Sequence, residues 1–238
     1  MENMNNTNTP VSKQDSGFMN QRRQILNEQS PFAMKEAYRT LRTNIRFALR
    51  GEGCKRFCIT SSSQGEGKSI TMLNLAITFA ETGQKVLLID ADMRRPAINR
   101  LLVEKASPGL SNVLAGLVDE SEILRKDVRP NLDIIFSGDI PPNPAELLDS
   151  DRMKELLDKL SKRYDYILVD TPPVNVVSDA CVTAHHLDGV LLLARQGRSR
   201  KESLKRAVNN LNLAGVKLLG CVFNGVPHEV KTIYSYYD

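Results

Sequence analysis

Residues Ile59-Thr60-Ser61-Ser62-Ser63-Gln64-Gly65-Glu66-Gly67-Lys68-Ser69 run from an apolar stretch, through two glycines, into a helix-forming segment. A strand–glycine turn–helix junction ending in Gly67-Lys68-Ser69 constrains the fold because its main chain is arranged for phosphate. Gly65 and Gly67 let the backbone curl so that successive N–H groups converge on phosphate oxygens. The N-terminus of the helix opening at Lys68 adds partial positive charge. Lys68 reaches the β- and γ-phosphates of ATP, and the Ser69 hydroxyl suits Mg²⁺. Ser62, Ser63, Gln64, Gly65, Glu66, Gly67, Lys68, Ser69 and Ile70 are therefore the expected nucleotide-contacting residues. The stretch departs from G-x-x-x-x-G-K-[ST] at one position, where Ser62 replaces the first glycine.

An ordinary glycine-rich turn would not be accompanied by carboxylates at other strand ends. The run from Lys85 to Ile89 ends in Asp90-Ala91-Asp92, and that from Tyr166 to Val169 ends in Asp170-Thr171-Pro172-Pro173. Taken singly, such aspartates cap turns. Three of them beside Gly67-Lys68-Ser69 converge on a triphosphate and its hard cation. Asp170 takes a magnesium role, directly or through water. Asp90 and Asp92 divide the rest, one as base for an incoming hydroxyl and the other on the metal.

The remaining pattern alternates strands and helices. Strands are expected at 56–60, 85–90, 133–136, 166–170, 189–194 and 217–223, mostly continuous apolar runs as in strands buried on both faces. Helices are expected at 68–82, 151–163 and 200–213. The fold class is α/β, a doubly wound, mostly parallel sheet with helices on both faces and ligands at the C-terminal strand ends. Asn224, at the last of these ends, joins the nucleotide-site candidates. With no Trp and only 5% aromatic residues, the core rests on Leu, Ile, Val and Ala.

Residues 1–29 are polar and are expected to form a flexible leader. The domain is expected to span 30–226, with a flexible tail at 227–238. Ser30-Pro31 resembles an N-cap followed by proline at the first helical position. Met34, Ala37, Leu41, Ile45 and Ala48 then recur at helical spacing, giving a helix over 31–49. Residues 1–56 carry ten of the 32 basic residues and five of the 28 acidic ones, a balance suited to anionic lipid, an acidic partner or plain solvation. No apolar run approaches the ~20 residues of a spanning helix. The first thirty residues also lack the apolar region of a signal peptide, so the expected location is cytoplasmic. Cys54, Cys58, Cys181 and Cys221 lack a zinc spacing and are expected as reduced core thiols. The basic stretch 195–206 suits phosphate, an acidic protein substrate or nucleic acid, but an exposed helix face is the expected reading, and without interleaved aromatic residues it supports no single-strand stacking platform.

These motifs together resemble those of the bacterial tyrosine kinases of capsule and exopolysaccharide systems, the BY-kinase family. The likeness runs from about Pro31 to the tyrosine-rich end. It includes 61–69, Leu88-Ile89-Asp90-Ala91-Asp92-Met93-Arg94-Arg95-Pro96, the segment from Gly138 to Leu148, and Asp165 to Pro173. It implies ATP and Mg²⁺, Asp90 as catalytic base, and Lys68, Ser69, Asp92 and Asp170 on phosphate and metal. It also implies activation by a transmembrane modulator protein that recruits the kinase peripherally to the inner face of the cell membrane. Positioning ATPases of the ParA and MinD type share the fold, but they carry a crossing lysine where this chain has Ser63.

Tyr234, Tyr236 and Tyr237 fall within the last five residues and are the expected autophosphorylation sites. Tyr236 lies twelve residues beyond Asn224, so an extended chain reaches roughly 40 Å, far enough for transfer in cis or in trans. On the first helix Glu36, Arg39 and Arg42 fall at i, i+3, i+6. The resemblance assigns this Glu-x-x-Arg-x-x-Arg pattern to the subunit interface of a homo-oligomeric ring, in which each tail enters a neighbour's site. Other protein substrates phosphorylated on tyrosine complete the expected partners.

Overall fold

A computed structural model describes residues 19–226. Its centre is a seven-stranded sheet: β1 (Lys55–Ser61), β2 (Val86–Asp90), β3 (Leu124–Arg129), β4 (Leu132–Ile135), β5 (Tyr166–Asp170), β6 (Gly189–Arg195) and β7 (Leu218–Asn224). The order is β3-β4-β2-β5-β1-β6-β7. Six strands run parallel, and β3 alone is antiparallel, against β4. The expected mostly parallel α/β architecture is present.

The apolar runs are continuous because both faces of the sheet are covered, and the period of two divides each run between them. Phe57, Ile59, Val86, Leu88, Leu168, Leu191 and Leu193 face one layer. Cys58, Leu87, Ile89, Ile167, Val169, Val190 and Leu192 face the other. The first layer holds α1 (Phe32–Ala48), α2 (Lys68–Ala80) and α3 (Ile98–Leu102). The second holds α4 (Leu110–Leu114), α5 (Glu120–Ile123), α6 (Pro144–Leu148), α7 (Asp151–Leu160), α8 (Asp179–Ala184) and α9 (Lys201–Leu213). Each large apolar side chain buried here stabilises the fold by roughly 1.5–3 kcal/mol.

Several expectations need correction. Residues 22–29 belong to the packed domain. Leu26 is buried, its N–H donates to Asn74 Oδ1 at 2.8 Å, and Asn74 Nδ2 donates to the Gln24 carbonyl at 2.8 Å. The expected flexible leader therefore does not reach 29, and residues 1–18 and the tail 227–238 lie outside the described residues. Pro31 is itself the N-cap of α1, while the Ser30 hydroxyl accepts from the Asn27 N–H at 3.0 Å. The stripe of α1 facing the core runs Met34, Tyr38, Leu41, Ile45, Leu49. Ala37 and Ala48 are exposed, because the larger side chains one position on fill the gap to α2. The four thiols are free, but Cys221 is exposed on edge strand β7 and is not a core residue. Among the described residues no helix is long and apolar enough to cross a membrane.

Candidate active site

The loop between β1 and α2 leaves the middle of the sheet, with β5 and β2 on one side and β6 and β7 on the other. Gly65 and Gly67 hold φ of +72° and +104°, the left-handed region that disfavours a side chain. A Cβ at Gly67 would also lie 2.4 Å from Asn224 Nδ2. Helix α2 opens on Gly67, so its first N–H groups face the loop. Lys68 is buried to 7% exposure at this opening. Ile70 turns into the hydrophobic core, leaving only its main chain to face the loop.

Asp90 and Asp170 are register partners at the ends of β2 and β5, and Ile59 pairs with Asp170 from β1. Both aspartates are fully buried. Asp90 Oδ1 accepts the Asp92 N–H at 3.2 Å, and its Oδ2 accepts those of Ala97 and Ile98 at 3.2 and 3.1 Å. This carboxylate therefore shapes the 91–97 loop and caps α3. Burial first, then the neighbouring Asp170 and Asp92 carboxylates, hold it well above the usual carboxylate range. Asp92, more open at 8% exposure, accepts the Arg95 N–H at 3.0 Å, and burial raises it too.

Asp170 differs from both. Among the described residues no donor meets either of its buried oxygens in bonding geometry. Burial pushes it up to about 7, against the pull of the Lys68 ammonium and the Ser69 hydroxyl nearby. A buried carboxylate with two unmet oxygens needs a proton or a cation. The donor set of Ser69, Asp92 and Asp170 consists of hard oxygens and fits Mg²⁺. Among the described residues no three His, Cys, Asp or Glu side chains form a metal cluster. Two carboxylates and one hydroxyl would leave the remaining Mg²⁺ positions to phosphates and water.

On the far rim of the site, the start of the basic stretch 195–206 lies against the phosphate loop, which corrects its expected place on an exposed helix face. Arg195 and Arg198 do not belong to an exposed helix face, since α9 starts only at Lys201. Arg195 Nη1 donates to the Gly65 carbonyl at 3.3 Å, and the Arg198 guanidinium packs against the Gly65 Cα. The Ser199 hydroxyl donates to Glu66 Oε1 at 2.6 Å, and Asn224 Nδ2 donates to the Glu66 carbonyl at 3.0 Å. Across the loop, Arg95 Nη1 donates to Gln64 Oε1 at 2.8 Å. Arg94 forks onto buried Asp179 at 2.8 and 3.1 Å, another pair without a local signal in the sequence. The one available clue to 195–199 was position, directly after a strand ending at the same edge as the phosphate loop.

Lys68, Ser69, Asp90, Asp92, Asp170 and Asn224 are brought together as expected from the sequence. Glu36, Arg39 and Arg42 lie on α1 in the layer that packs on α2. Glu36 and Arg39 pair at 2.6 Å on the surface, whereas Arg42 Nη1 turns inward to the Thr78 carbonyl at 2.6 Å. Tyr234, Tyr236 and Tyr237 lie outside the described residues.

Comparison with known proteins places this geometry in context. A family described as an AAA domain matches residues 54–195. The tyrosine-protein kinase YwqD of Bacillus subtilis is 39% identical over 225 residues, covering 94% of this chain and 95% of YwqD. The solved kinase domain of the Escherichia coli tyrosine kinase ETK superposes with a TM-score of 0.79 at 37% identity, covering 85% of this chain and 80% of that one. The septum site-determining protein MinD of Pyrococcus horikoshii, solved with Mg-ADP, has 24% identity and a TM-score of 0.60 over 71% of this chain and 70% of its own. That likeness is one of fold alone.

Proposed function

The chain belongs to the bacterial tyrosine-protein kinases and carries their P-loop nucleotide-binding domain, and from that premise we propose that it phosphorylates its own tyrosine cluster, Tyr234, Tyr236 and Tyr237, in the service of capsule or exopolysaccharide synthesis. The observation that supports this reading is the meeting of Lys68, Asp90, Asp92 and Asp170 at one edge of the sheet, with both Asp170 oxygens lacking, among the described residues, a donor in bonding geometry.

In the proposed mechanism the tyrosine oxygen attacks the γ-phosphorus of ATP, the bond to the β-phosphate oxygen breaks, and ADP leaves. Tyrosine titrates near ~10, so at neutral pH its hydroxyl is protonated and needs a base. Asp90 has three main-chain donors on four lone-pair positions, which leaves one for the tyrosine proton. Lys68 and the N–H groups at the start of α2 stabilise charge on the transferring phosphoryl group. Ser69, Asp92 and Asp170 would hold Mg²⁺, which neutralises phosphate charge when bound.

The same reading includes a transmembrane modulator protein as activator, recruitment to the inner face of the membrane, and a homo-oligomeric ring whose interface uses Glu36, Arg39 and Arg42. The division into a leader, a kinase domain and a tyrosine-rich tail goes with it, the packed segment beginning near residue 22. Ser63 cannot supply the crossing lysine of positioning ATPases, which disfavours that alternative.

Incubation with γ-labelled ATP and Mg²⁺, with and without the modulator, followed by mass spectrometry of the tail, tests the proposal. Label on Tyr234, Tyr236 or Tyr237 that disappears in Lys68→Met is the expected result. Phosphate release with an unmodified tail would favour a nucleotide-switched positioning ATPase, and nucleotide binding with neither product an inactive scaffold.

A further inference from the structure

Glu66 lies inside the phosphate loop, yet its side chain is turned away from solvent and is fully buried. Four donors meet its carboxylate. Oε2 accepts the N–H groups of Ser62 and Ser63 at 3.1 and 3.3 Å. Oε1 accepts the hydroxyls of Ser62 and Ser199 at 2.9 and 2.6 Å. Ser199 in turn accepts the Arg195 N–H at 2.7 Å, so its single proton is committed to Glu66. The Gly65 and Glu66 carbonyls receive Arg195 and Asn224. These hydrogen bonds from the β6–α9 turn and the end of β7 thus land on two adjacent residues of the loop.

Ser62, the one departure from the usual loop pattern, belongs to the same arrangement, because its hydroxyl is one of the four donors. A glycine there would lack it.

We propose that Glu66 is a positioning residue for phosphoryl transfer, one that fixes the curvature of the phosphate loop by buckling Ser62 and Ser63 to Ser199. A buried carboxylate with four donors is stiff, since releasing any one leaves a desolvated group unpaired. The loop N–H groups that face phosphate are then held in place before nucleotide arrives, and less ordering remains to be done on binding. This inference rests on the nucleotide-binding part of the proposed function, and it predicts that Ser199, which touches no reacting atom, controls nucleotide affinity.

The test uses the full chain and measures Mg·ADP affinity by titration calorimetry, KM and kcat for ATP, and Tm. Ser199→Ala and Glu66→Gln should each weaken Mg·ADP about tenfold and raise KM for ATP in step, with kcat less affected. Ser199→Thr, which keeps the hydroxyl, should restore affinity. Ser62→Gly restores the usual motif and should weaken binding, not improve it. Combining Ser199→Ala with Glu66→Gln should be no worse than Glu66→Gln alone. Wild-type affinity and KM in both single variants, even with a lower Tm, would overturn the proposal, as would additive losses. If Glu66→Gln fails to fold, Ser199→Ala and Ser62→Gly decide. Should the wild-type chain bind ADP but label no tyrosine, the proposed autophosphorylation fails while this inference is still read from the affinities.

Discussion

Asp90 and Asp170 stand opposite each other in the β2–β5 register, both fully buried, the first accepting three main-chain N–H groups and the second, among the described residues, with no donor in bonding geometry. Two adjacent carboxylates without a cation cannot both ionise cheaply.

Asp170, raised to about 7 in the fold, ordinarily titrates near ~3.9. A carboxyl raised above its unfolded value contributes stability that is full below pH ~4 and lost as pH rises through the folded value. Asp90, also raised, acts in the same direction. Without Mg²⁺, Asp170→Asn should therefore raise Tm at pH 8 by about 5 °C and change it little at pH 4. Added Mg·ADP should stabilise the wild-type chain more at pH 8 than at pH 6, because protons no longer have to leave. A scan of Tm against pH for the two proteins checks this, and a lower Tm for Asp170→Asn at pH 8 contradicts it.

The division of labour between Asp90 and Asp92 separates by kinetics. Asp90→Asn retains an oxygen for two of its three main-chain donors, so the loop should hold and Mg·ADP should still bind. Loss of the base should lower kcat by about 10²–10⁴-fold. Asp92→Asn should mainly raise the Mg²⁺ concentration needed for half-maximal rate. Initial rates measured across Mg²⁺ concentrations distinguish the two, and the reverse pattern would exchange their roles.

Much of this site was legible in the sequence because its residues sit directly after apolar runs, where strand ends are easiest to recognise. Asp90, Asp92, Asp170 and Asn224 all have that placement. Strand β3, Leu124–Arg129, was not legible. It has the sequence LRKDVR and, among the described residues, is an edge strand paired with β4 alone, so just Leu124 and Val128 pack on the cores and no continuous apolar run appears. The five-residue helices α3, α4 and α6 span little more than a turn, too short for periodicity to appear. Tyr38 outweighed Ala37 on α1 because the gap to α2 needs volume, which helical spacing does not report. Arg195, Arg198 and Ser199 were absorbed into a basic stretch whose helix starts later than its charge pattern suggested.

The structure separates two residues that the Glu-x-x-Arg-x-x-Arg pattern joins. Among the described residues Arg39 pairs with Glu36 alone, both about half exposed, and such a pair contributes about 0.2–0.5 kcal/mol. Arg42 caps α2 by donating to the Thr78 carbonyl, a group in the last turn of that helix. Arg42→Ala should therefore lower stability by about 1–2 kcal/mol, whatever the assembly. Arg39→Ala should leave the unfolding midpoint unchanged while lowering the mass seen in light scattering and the tail phosphorylation. Unchanged mass and phosphorylation in Arg39→Ala would refute the ring interface.

Arg94 and Asp179 offer a sharper energetic test, since the fork joins the 91–97 loop carrying Asp92 to helix α8. The Asp179 side chain is fully buried, whereas that of Arg94 is 41% exposed, so water moderates the pair. Breaking a fully buried pair from one side typically costs about 3–5 kcal/mol, and here about 2 is expected for Arg94→Ala. Arg94→Lys keeps the charge but not the two parallel bonds, so it should recover only part of the loss. The stranded carboxylate, not the missing contact, accounts for most of the damage. Arg94→Ala combined with Asp179→Asn should therefore be more stable in urea than Arg94→Ala alone. A double variant as unstable as the sum of the two single losses would show that the two side chains are not energetically coupled.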